Sequence, residues 1–225
     1  MSRAILFDTE TTGLEPQFGH RVIEVAALEL MNDLPTGRYF HALIHPERDI
    51  PEDATRIHGI TVAHLADKPR FAEIADELLG FFGEGPLVAH NAPFDFAFLD
   101  SEFSRLGLPA LDRSRMIDTL ALAKGRFPGM PNSLDALCRR FAIDLSARTT
   151  HNALLDCRLL AEVYVELTGG RQRGLMLAAE KVATPIAVYT LAGPHIPRPI
   201  TPSEAELAAH AEFVGRLRDP VWTHS

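Results

Sequence analysis

The order of β-rich and helical stretches is the feature that most constrains how this chain can fold. Three β-rich stretches come first, at residues 4–7, 22–30 and 39–44, with Gly, Pro and Asn-Asp breaks between them. A short apolar strand is predicted at residues 87–89, and helical apolar periodicity dominates after residue 70. The predicted helices cover residues 71–82, 94–106, 120–124, 134–141 and 151–167, the last with Thr149 and Thr150 as candidate N-cap residues. This order predicts an α/β domain that opens with a strand meander.

The C-terminal part of the chain differs in composition from the rest. Six of the 16 prolines lie after residue 170, where Gly169-Gly170 interrupts the pattern. Residues 171–225 carry six basic and five acidic side chains, so a net charge of −9 belongs to residues 1–170. We therefore predict a folded domain over residues 1–170 and a flexible, Pro-rich tail over residues 171–225.

The overall composition excludes several classes of protein. Hydrophobic residues make up 46% of the chain, charged residues 23%, and the mean hydropathy is +0.01, which does not fit a disordered, collagen-like or disulfide-stapled chain. Apolar runs such as residues 78–82 are far shorter than the roughly 18 to 20 residues of a membrane-spanning helix. Residues 1–10 carry carboxylates where a signal peptide would be apolar, so a cytoplasmic location is expected. Cys138 and Cys157 lie in apolar helical patterns and are predicted to be reduced, buried thiols.

Two carboxylates, Asp8 and Glu10, come directly after the first apolar strand. Side chains two residues apart in a strand project to the same face, so these two should converge. Neighbouring carboxylates repel each other and lose hydration on burial, and a bound Mg²⁺ or Mn²⁺ would offset both costs because hard cations prefer oxygen ligands. A solvated strand end, followed by a turn at Thr11, Thr12 and Gly13, is the alternative interpretation.

The net charge bears on the class of substrate. With 22 basic and 30 acidic residues, the chain has a formal charge of −8, which argues against a protein that binds nucleic acid by counterion release. An enzyme that handles phosphates through divalent cations, however, needs a cluster of carboxylates. The acidity therefore does not exclude DNA as a substrate.

Two further motifs combine histidine with an acid. His90 and Asn91 interrupt a buried segment before a helix that carries Asp95 in its first turn, where the helix dipole favours an acid in any case. His151 and Asp156 are five residues apart, about 140° around a helix, so they converge only if His151 lies before the regular turns. Taken singly, His151 and Asp156 are better explained by surface positions, whereas the helix dipole does not explain why His90 and Asn91 interrupt a buried segment.

The motifs taken together are more specific than any one of them. Asp-x-Glu, His-Asn-x-x-Phe-Asp and His-x-x-x-x-Asp occur in that order. This order resembles the DEDDh exonucleases, and in particular the proofreading epsilon subunits of bacterial DNA polymerase III. The resemblance covers about residues 4–170. Further matches are Thr11-Thr12-Gly13-Leu14, Ile57-His58-Gly59-Ile60, Asp118-Thr119-Leu120-Ala121 and Asn132-Ser133-Leu134-Asp135-Ala136-Leu137.

The resemblance implies a ribonuclease H-like fold, a mixed five-stranded sheet flanked by helices, followed here by the Pro-rich tail. It also implies hydrolysis of the 3′-terminal nucleotide of DNA to a nucleoside 5′-monophosphate, which removes mispaired nucleotides during replication. Two divalent cations, Mg²⁺ or Mn²⁺, would be the cofactors, with His151 as the general base. The implied metal ligands are Asp8, Glu10, Asp95 and Asp156.

The family's pocket for the terminal nucleotide matches residues spread along this chain. These are Thr11, Ile57, His58, Asn91 and Phe94. A core position is the alternative for the two apolar members, whereas a base or sugar contact by them would tolerate any sequence. Asp118 also matches a family acid and is assigned a supporting role.

The tail predicts contacts with other replication proteins. Residues 172–177 resemble the clamp-binding peptide of bacterial replication proteins, so Gln172, Leu175 and Leu177 would enter a pocket on the sliding clamp (beta). Residues 203–218 carry a weakly amphipathic helical pattern suited to docking on a partner, and the resemblance implies that this partner is the polymerase catalytic (alpha) subunit. A small accessory (theta-like) subunit is a further implied partner.

Two other functions are compatible with the same motifs. A free-standing DEDDh exonuclease on single-stranded DNA, RNA ends or oligoribonucleotides would share the core but would have little need of a clamp-like peptide. A non-catalytic binding module would have little reason to keep an unneutralised acid cluster, which argues against that function.

Overall fold

The computed structural model describes residues 2–146, 148, 150–169, 199 and 201–218. Residues 2–169 and 201–218 fall in separate compact units and are described separately. The predicted clamp-binding peptide, with Gln172, Leu175 and Leu177, lies outside the described residues. In the described part of the chain, no helix is long and apolar enough to span a membrane.

A mixed five-stranded sheet forms the centre of the first unit, as expected. Its strands are β1 (Arg3–Thr11), β2 (Val22–Met31), β3 (Leu34–Leu43), β4 (Leu87–Ala89) and β5 (Met116–Asp118), in the spatial order β3-β2-β1-β4-β5. The first three pair antiparallel, whereas β4 runs parallel to β1 and β5 parallel to β4. The carboxyl ends of β1, β4 and β5 therefore meet at one edge of the sheet, where ligands bind in open α/β sheets.

Helices cover both faces of this sheet. They are α1 (Glu52–His58), α2 (Val62–Leu65), α3 (Phe71–Phe82), α4 (Ala92–Arg105), α5 (Thr119–Arg126), α6 (Leu134–Arg140) and α7 (Ala153–Leu167). On one face, α3 and α4 pack against β1, and the ring centroid of Phe7 lies 5.3 Å from that of Phe82 and 5.8 Å from that of Phe96. On the other face, α7 packs over Leu6 and Ala26. Both cysteines are buried there as free thiols.

The structure corrects two predicted elements beside the candidate site. β1 continues through Thr11 because its pairing with β2 extends that far, so Asp8 and Glu10 lie inside the strand rather than after it. α7 begins at Ala153, later than predicted, because the side chain of Asn152 caps it and accepts a hydrogen bond from the Leu155 N–H at 3.0 Å. The predicted cap residue Thr150 lies before this cap, and Thr149 is outside the described residues.

The strand β3 also begins earlier than predicted. Asn32 and Asp33 have φ values of 52° and 65°, the left-handed conformation that closes a tight hairpin between β2 and β3. The pairing therefore resumes at Leu34.

Helix α8 (Glu204–Gly215) lies in the second unit, within the segment predicted to be helical. Ser203 and Glu206 form a capping box at its start. Leu207 and Phe213 project from it with 54% and 59% of their surface exposed.

Candidate active site

Four carboxylates and one histidine meet at the carboxyl end of β1. Asp8 and Glu10 lie two residues apart in β1, so both side chains project to the face toward α7. Asp95 and Asp156 lie in the first turns of α4 and α7. Ligand atoms of Glu10, His151 and Asp156 all lie within 4.8 Å of one another. The structure thus brings Glu10, His151 and Asp156 together, and Asp8 lies near enough to Asp95 for the charge of one to raise the pKa of the other.

Burial and mutual repulsion weaken three of these acids. Burial, followed by the charge of Asp95, raises the pKa of Asp8 well above its usual value of 3.8. Burial, followed by the charge of Glu24, raises the pKa of Glu10 from 4.5 to about 8. Burial also raises the pKa of Asp95 from 3.8 to about 7. Positive charge placed among these carboxylates would relieve the repulsion, which is the electrostatic condition for a cation site.

Thr9 and Asp118 hold Asp95 and the helix that carries it. The backbone N–H and the hydroxyl of Thr9 donate to Asp95 Oδ1 at 3.1 and 2.8 Å. Asp118 Oδ1 accepts hydrogen bonds from the N–H groups of Asn91 and Ala92, at 3.0 and 3.3 Å, at the start of α4. Asp118 therefore braces the turn that positions Asp95, a contact that matches its predicted supporting role.

His151 lies before the first turn of α7, as its convergence with Asp156 requires. Its Nδ1 is 3.4 Å from Asp156 Oδ2, and its backbone N–H donates to the carbonyl oxygen of Ile57 at 3.2 Å. The side chain is 49% exposed, so the ring is held at the mouth of the site in reach of solvent.

Arg148 is a site residue that the sequence reasoning missed. Its Nε and Nη2 donate to Asp156 Oδ1 and Oδ2 at 2.6 and 2.7 Å, and its Nη1 donates to Asp135 Oδ1 at 2.7 Å. Burial would raise the pKa of Asp156, but the hydrogen bonds from Arg148 and then from His151 outweigh it and lower that pKa. An arginine three residues before a candidate catalytic histidine, near an acid cluster, was the available signal.

Glu24 is a second residue that was missed. It lies in β2 directly opposite Glu10 in the antiparallel register, and it is fully buried. In the sequence it lies inside a long apolar strand, where a single acid is typical of a solvent-facing position.

Four of the five residues predicted to form the nucleotide pocket line one cavity. A cavity of about 510 Å³ beside the acid cluster is lined by Thr11, Ile57, His58 and Phe94, together with the loop after β1. Ile57 is 51% exposed, so it is not a core residue. Asn91 lies outside the cavity lining and occupies the left-handed N-cap position of α4, with φ 66°.

His58 lines this cavity with a neutral ring. Its Nδ1 accepts a hydrogen bond from the Ile60 N–H at 3.0 Å, which leaves the proton of the neutral ring on Nε2. That Nε2 is buried and makes no hydrogen bond of normal geometry within the described residues. Burial lowers the pKa of His58, which keeps the ring neutral.

The donor chemistry of the acid cluster fits divalent cations. Carboxylate oxygens are the ligands that Mg²⁺ and Mn²⁺ prefer. Glu10, His151 and Asp156 already lie at a spacing that one ion could bridge.

The chain is similar to known exonucleases in sequence. A family model described as an exonuclease matches residues 5–164. The chain is 47% identical over 221 residues to DNA polymerase III subunit epsilon of Rickettsia felis, with 96% of each chain covered. It is 46% identical over 178 residues to the subunit of that name from Escherichia coli K12, covering 76% of this chain and 73% of the relative.

Solved structures give the same fold. Exonuclease X in complex with 5′ overhanging duplex DNA is 30% identical, with a TM-score of 0.59, and the match covers 75% of this chain and 92% of that one. The nuclease domain of 3′hExo, a DEDDh family member bound to rAMP, is 19% identical, with a TM-score of 0.63, and the match covers 74% of this chain and 92% of that one. The second likeness concerns the fold alone.

Proposed function

Because this chain belongs to the exonuclease family, and within it to the DNA polymerase III epsilon subunits, we propose that its acid cluster is the catalytic centre of a proofreading nuclease. The protein is a metal-dependent 3′-5′ exonuclease. The observation that carries the site assignment is the convergence of Glu10, His151 and Asp156 within 4.8 Å at the carboxyl end of β1.

We assign Asp8, Glu10, Asp95 and Asp156 as ligands of two divalent cations, Mg²⁺ or Mn²⁺. Two bound cations would stabilise the attacking and leaving oxygens of an in-line phosphodiester displacement. The carboxylates, held in part by Thr9 and Arg148, fix where the 3′-terminal phosphodiester is attacked.

His151 is the general base of this proposal. Asp156 and Arg148 both contact its ring, at 3.4 Å and 3.0 Å from Nδ1, and so orient it. A half-exposed imidazole is within reach of solvent and can take the proton of an attacking water molecule, which is the task of a general base.

The cavity beside the cluster would hold the terminal nucleotide. Phe94 and Ile57 offer apolar contact to base and sugar, which suits an enzyme that must remove any mispaired base. The Nε2–H of His58 and the side chain of Thr11 are polar groups that can bind the sugar. Asn91 would act through the start of α4, because it does not line the cavity.

The proposed partners follow from the relatives and the tail. The relatives are named as subunits of DNA polymerase III, and the one from Rickettsia felis aligns along 96% of this chain, so we propose that this chain binds the polymerase catalytic (alpha) subunit and acts on DNA 3′ ends. Gln172, Leu175 and Leu177 would bind the sliding clamp (beta), and a theta-like subunit is a further proposed partner. Such a complex would act in the cytoplasm.

The test is a primer-shortening assay on the full chain with Mg²⁺ or Mn²⁺. Wild type should shorten a DNA primer from its 3′ end, faster when that end is mispaired, and Asp8→Ala or His151→Ala should nearly abolish the reaction. Asp33→Ala, in the β2–β3 turn, is the control and should keep full activity. Undiminished activity in both site variants would contradict the assignment. Faster degradation of RNA in parallel would favour the free-standing nuclease.

A further inference from the structure

Glu24 is a buried carboxylate that the proposed chemistry does not use. It lies in β2 on the same face as Ala26, toward α7, and its side chain is 1% exposed. A buried acid beside another acid, Glu10, costs free energy unless it is well bonded. Its contacts therefore indicate what it does.

Both carboxylate oxygens of Glu24 accept hydrogen bonds, and two of the three donors belong to the start of α7. Oε1 accepts from His41 Nε2 at 2.8 Å and from Asn152 Nδ2 at 2.9 Å. Oε2 accepts from the backbone N–H of Ala153 at 3.2 Å. An anion at the positive end of a helix is favourable, so these contacts tie the start of α7 to β2.

The segment that Glu24 ties down carries two residues of the site. His151 immediately precedes Asn152, and its backbone N–H is fixed to the carbonyl oxygen of Ile57. Asp156 lies in the first turn of the helix. Asn152 already caps α7 through its own Oδ1, so Glu24 is not needed as the cap. Its contribution is to connect the start of α7 to the sheet that carries Glu10.

We propose that Glu24 is a positioning residue that fixes His151 and Asp156 against the β1 carboxylates. This proposal rests on the proposed function of the acid cluster. Partners of ligand residues that fix ligand geometry change metal affinity or activity by about 10- to 100-fold when removed.

Glu24→Gln is the sharpest test because it keeps the shape of the side chain. One end of the glutamine is an amide nitrogen, so whichever way it is oriented it places N–H groups against either Asn152 or Ala153. We expect kcat for a mispaired primer to fall on the order of 10-fold, with the KM changed less than about twofold because the nucleotide cavity is lined by other residues. Binding of Mn²⁺ alone, followed by electron paramagnetic resonance on the DNA-free protein, should weaken on the order of 10-fold.

Two further variants separate positioning from general loss of stability. Glu29→Gln removes a buried carboxylate from the same strand, where it pairs with Arg3 and Arg38 away from the site, and should lower stability without changing kcat or Mn²⁺ affinity. Asn152→Ser keeps a good N-cap residue but loses the Glu24 contact, and should reproduce the kcat and Mn²⁺ effects even if Glu24→Gln does not fold.

The results distinguish a positioning role of Glu24 from a general loss of stability and from a failure of the proposed function. If both Asn152→Ser and folded Glu24→Gln keep kcat and Mn²⁺ affinity within about twofold of wild type, or if Glu29→Gln loses as much, the positioning role is overturned. If wild type itself shows no metal-dependent exonuclease activity, the proposed function fails first.

Discussion

At the scale of single residues, the site depends on acids that are difficult to ionise. Glu10 has a pKa of about 8 in the folded chain against 4.5 ordinarily, because it is buried and faces Glu24. Between these two values the metal-free folded state binds more protons than the unfolded state. Its free energy of unfolding must therefore fall as the pH rises through this window.

We expect Glu10→Gln to flatten this dependence, because glutamine does not titrate. The measurement is urea denaturation of metal-free protein at about pH 5.5 and about pH 8, where wild type should lose more stability than the variant. Added Mg²⁺ at the higher pH should stabilise wild type more than Glu10→Gln. Exposed Glu77→Gln on α3 is the control and should follow wild type. Equal declines in wild type and Glu10→Gln would contradict this account.

Asp95 provides a second pH-dependent test. Burial raises its pKa to about 7, and the hydrogen bonds from Thr9 oppose that rise. Thr9→Val keeps the shape of the side chain but removes the hydroxyl donor, so the pKa of Asp95 should rise further. A carboxyl that must be ionised to bind a cation then becomes active only at higher pH.

The expected result is a shift of the acidic limb of the kcat/KM profile of Thr9→Val toward higher pH, with a several-fold loss near about pH 7. Thr36→Val, whose hydroxyl contacts Glu29 away from the site, should leave the profile in place. An unshifted acidic limb in Thr9→Val would show that ionisation of Asp95 does not determine the pH at which activity is lost.

The site residues differ in how readily the sequence identifies them. The acids and His151 were found because their spacing matches a specific ordered pattern. Glu24 and Arg148 are not identified by the sequence because their roles depend on contacts that form only in the folded chain. Glu24 contacts Asn152, 128 residues away, and Arg148 contacts both Asp135 and Asp156. Glu24 meets Asn152 only through the packing of α7 on β2, and no periodicity encodes that contact.

At the scale of elements, helix starts determine where the acids lie. Asp118 Oδ1 accepts hydrogen bonds from the Asn91 and Leu120 N–H groups, both at 3.0 Å, so one side chain serves the starts of both α4 and α5. Ser133 caps α6 alone, accepting from the Ala136 N–H at 3.3 Å. This gives a matched pair of caps, one beside the site and one away from it.

We expect Asp118→Ala and Ser133→Ala each to lower the free energy of unfolding by about 1 to 2 kcal/mol. Only Asp118→Ala should also reduce kcat several-fold, because α4 carries Asp95 in its first turn. Urea denaturation and the primer assay measure the two effects. Equal kcat in the two variants would show that the brace on α4 does not reach the chemistry.

The sequence predicted elements with a clear apolar pattern well and elements without one poorly. α3 and β4 lie where the apolar pattern placed them, since twelve residues of helical periodicity and a fully apolar run are unambiguous. α1 was not predicted because its seven residues bury only Ala54 and His58, too few to show a helical period. β5 is three residues long and forms through pairing with β4, which local sequence does not reveal.

At the scale of the whole molecule, the acidic charge and the tail have separate explanations. The net charge of −9 lies in residues 1–170, and part of it is the carboxylate cluster that cations would neutralise before DNA binds. The residues assigned to that cluster all lie between positions 8 and 156. Changes in the tail should therefore alter contacts with partners and leave the hydrolysis of a free primer unchanged.

A reciprocal pair of full-length variants tests this separation. Changing Gln172, Leu175 and Leu177 together to alanine should weaken binding to purified sliding clamp by at least about 100-fold, because a short peptide concentrates its affinity in a few side chains. Changing Leu207 and Phe213 of α8 to alanine should instead weaken binding to the polymerase catalytic subunit, since both are exposed apolar side chains. Biosensor titrations measure both affinities, and both variants should degrade a free primer at the wild-type rate because the acid cluster and its cavity lie between residues 8 and 156. Clamp binding that survives the first variant would show that residues 172–177 are not the clamp-binding peptide, and a slower reaction on free primer would show that the tail takes part in hydrolysis.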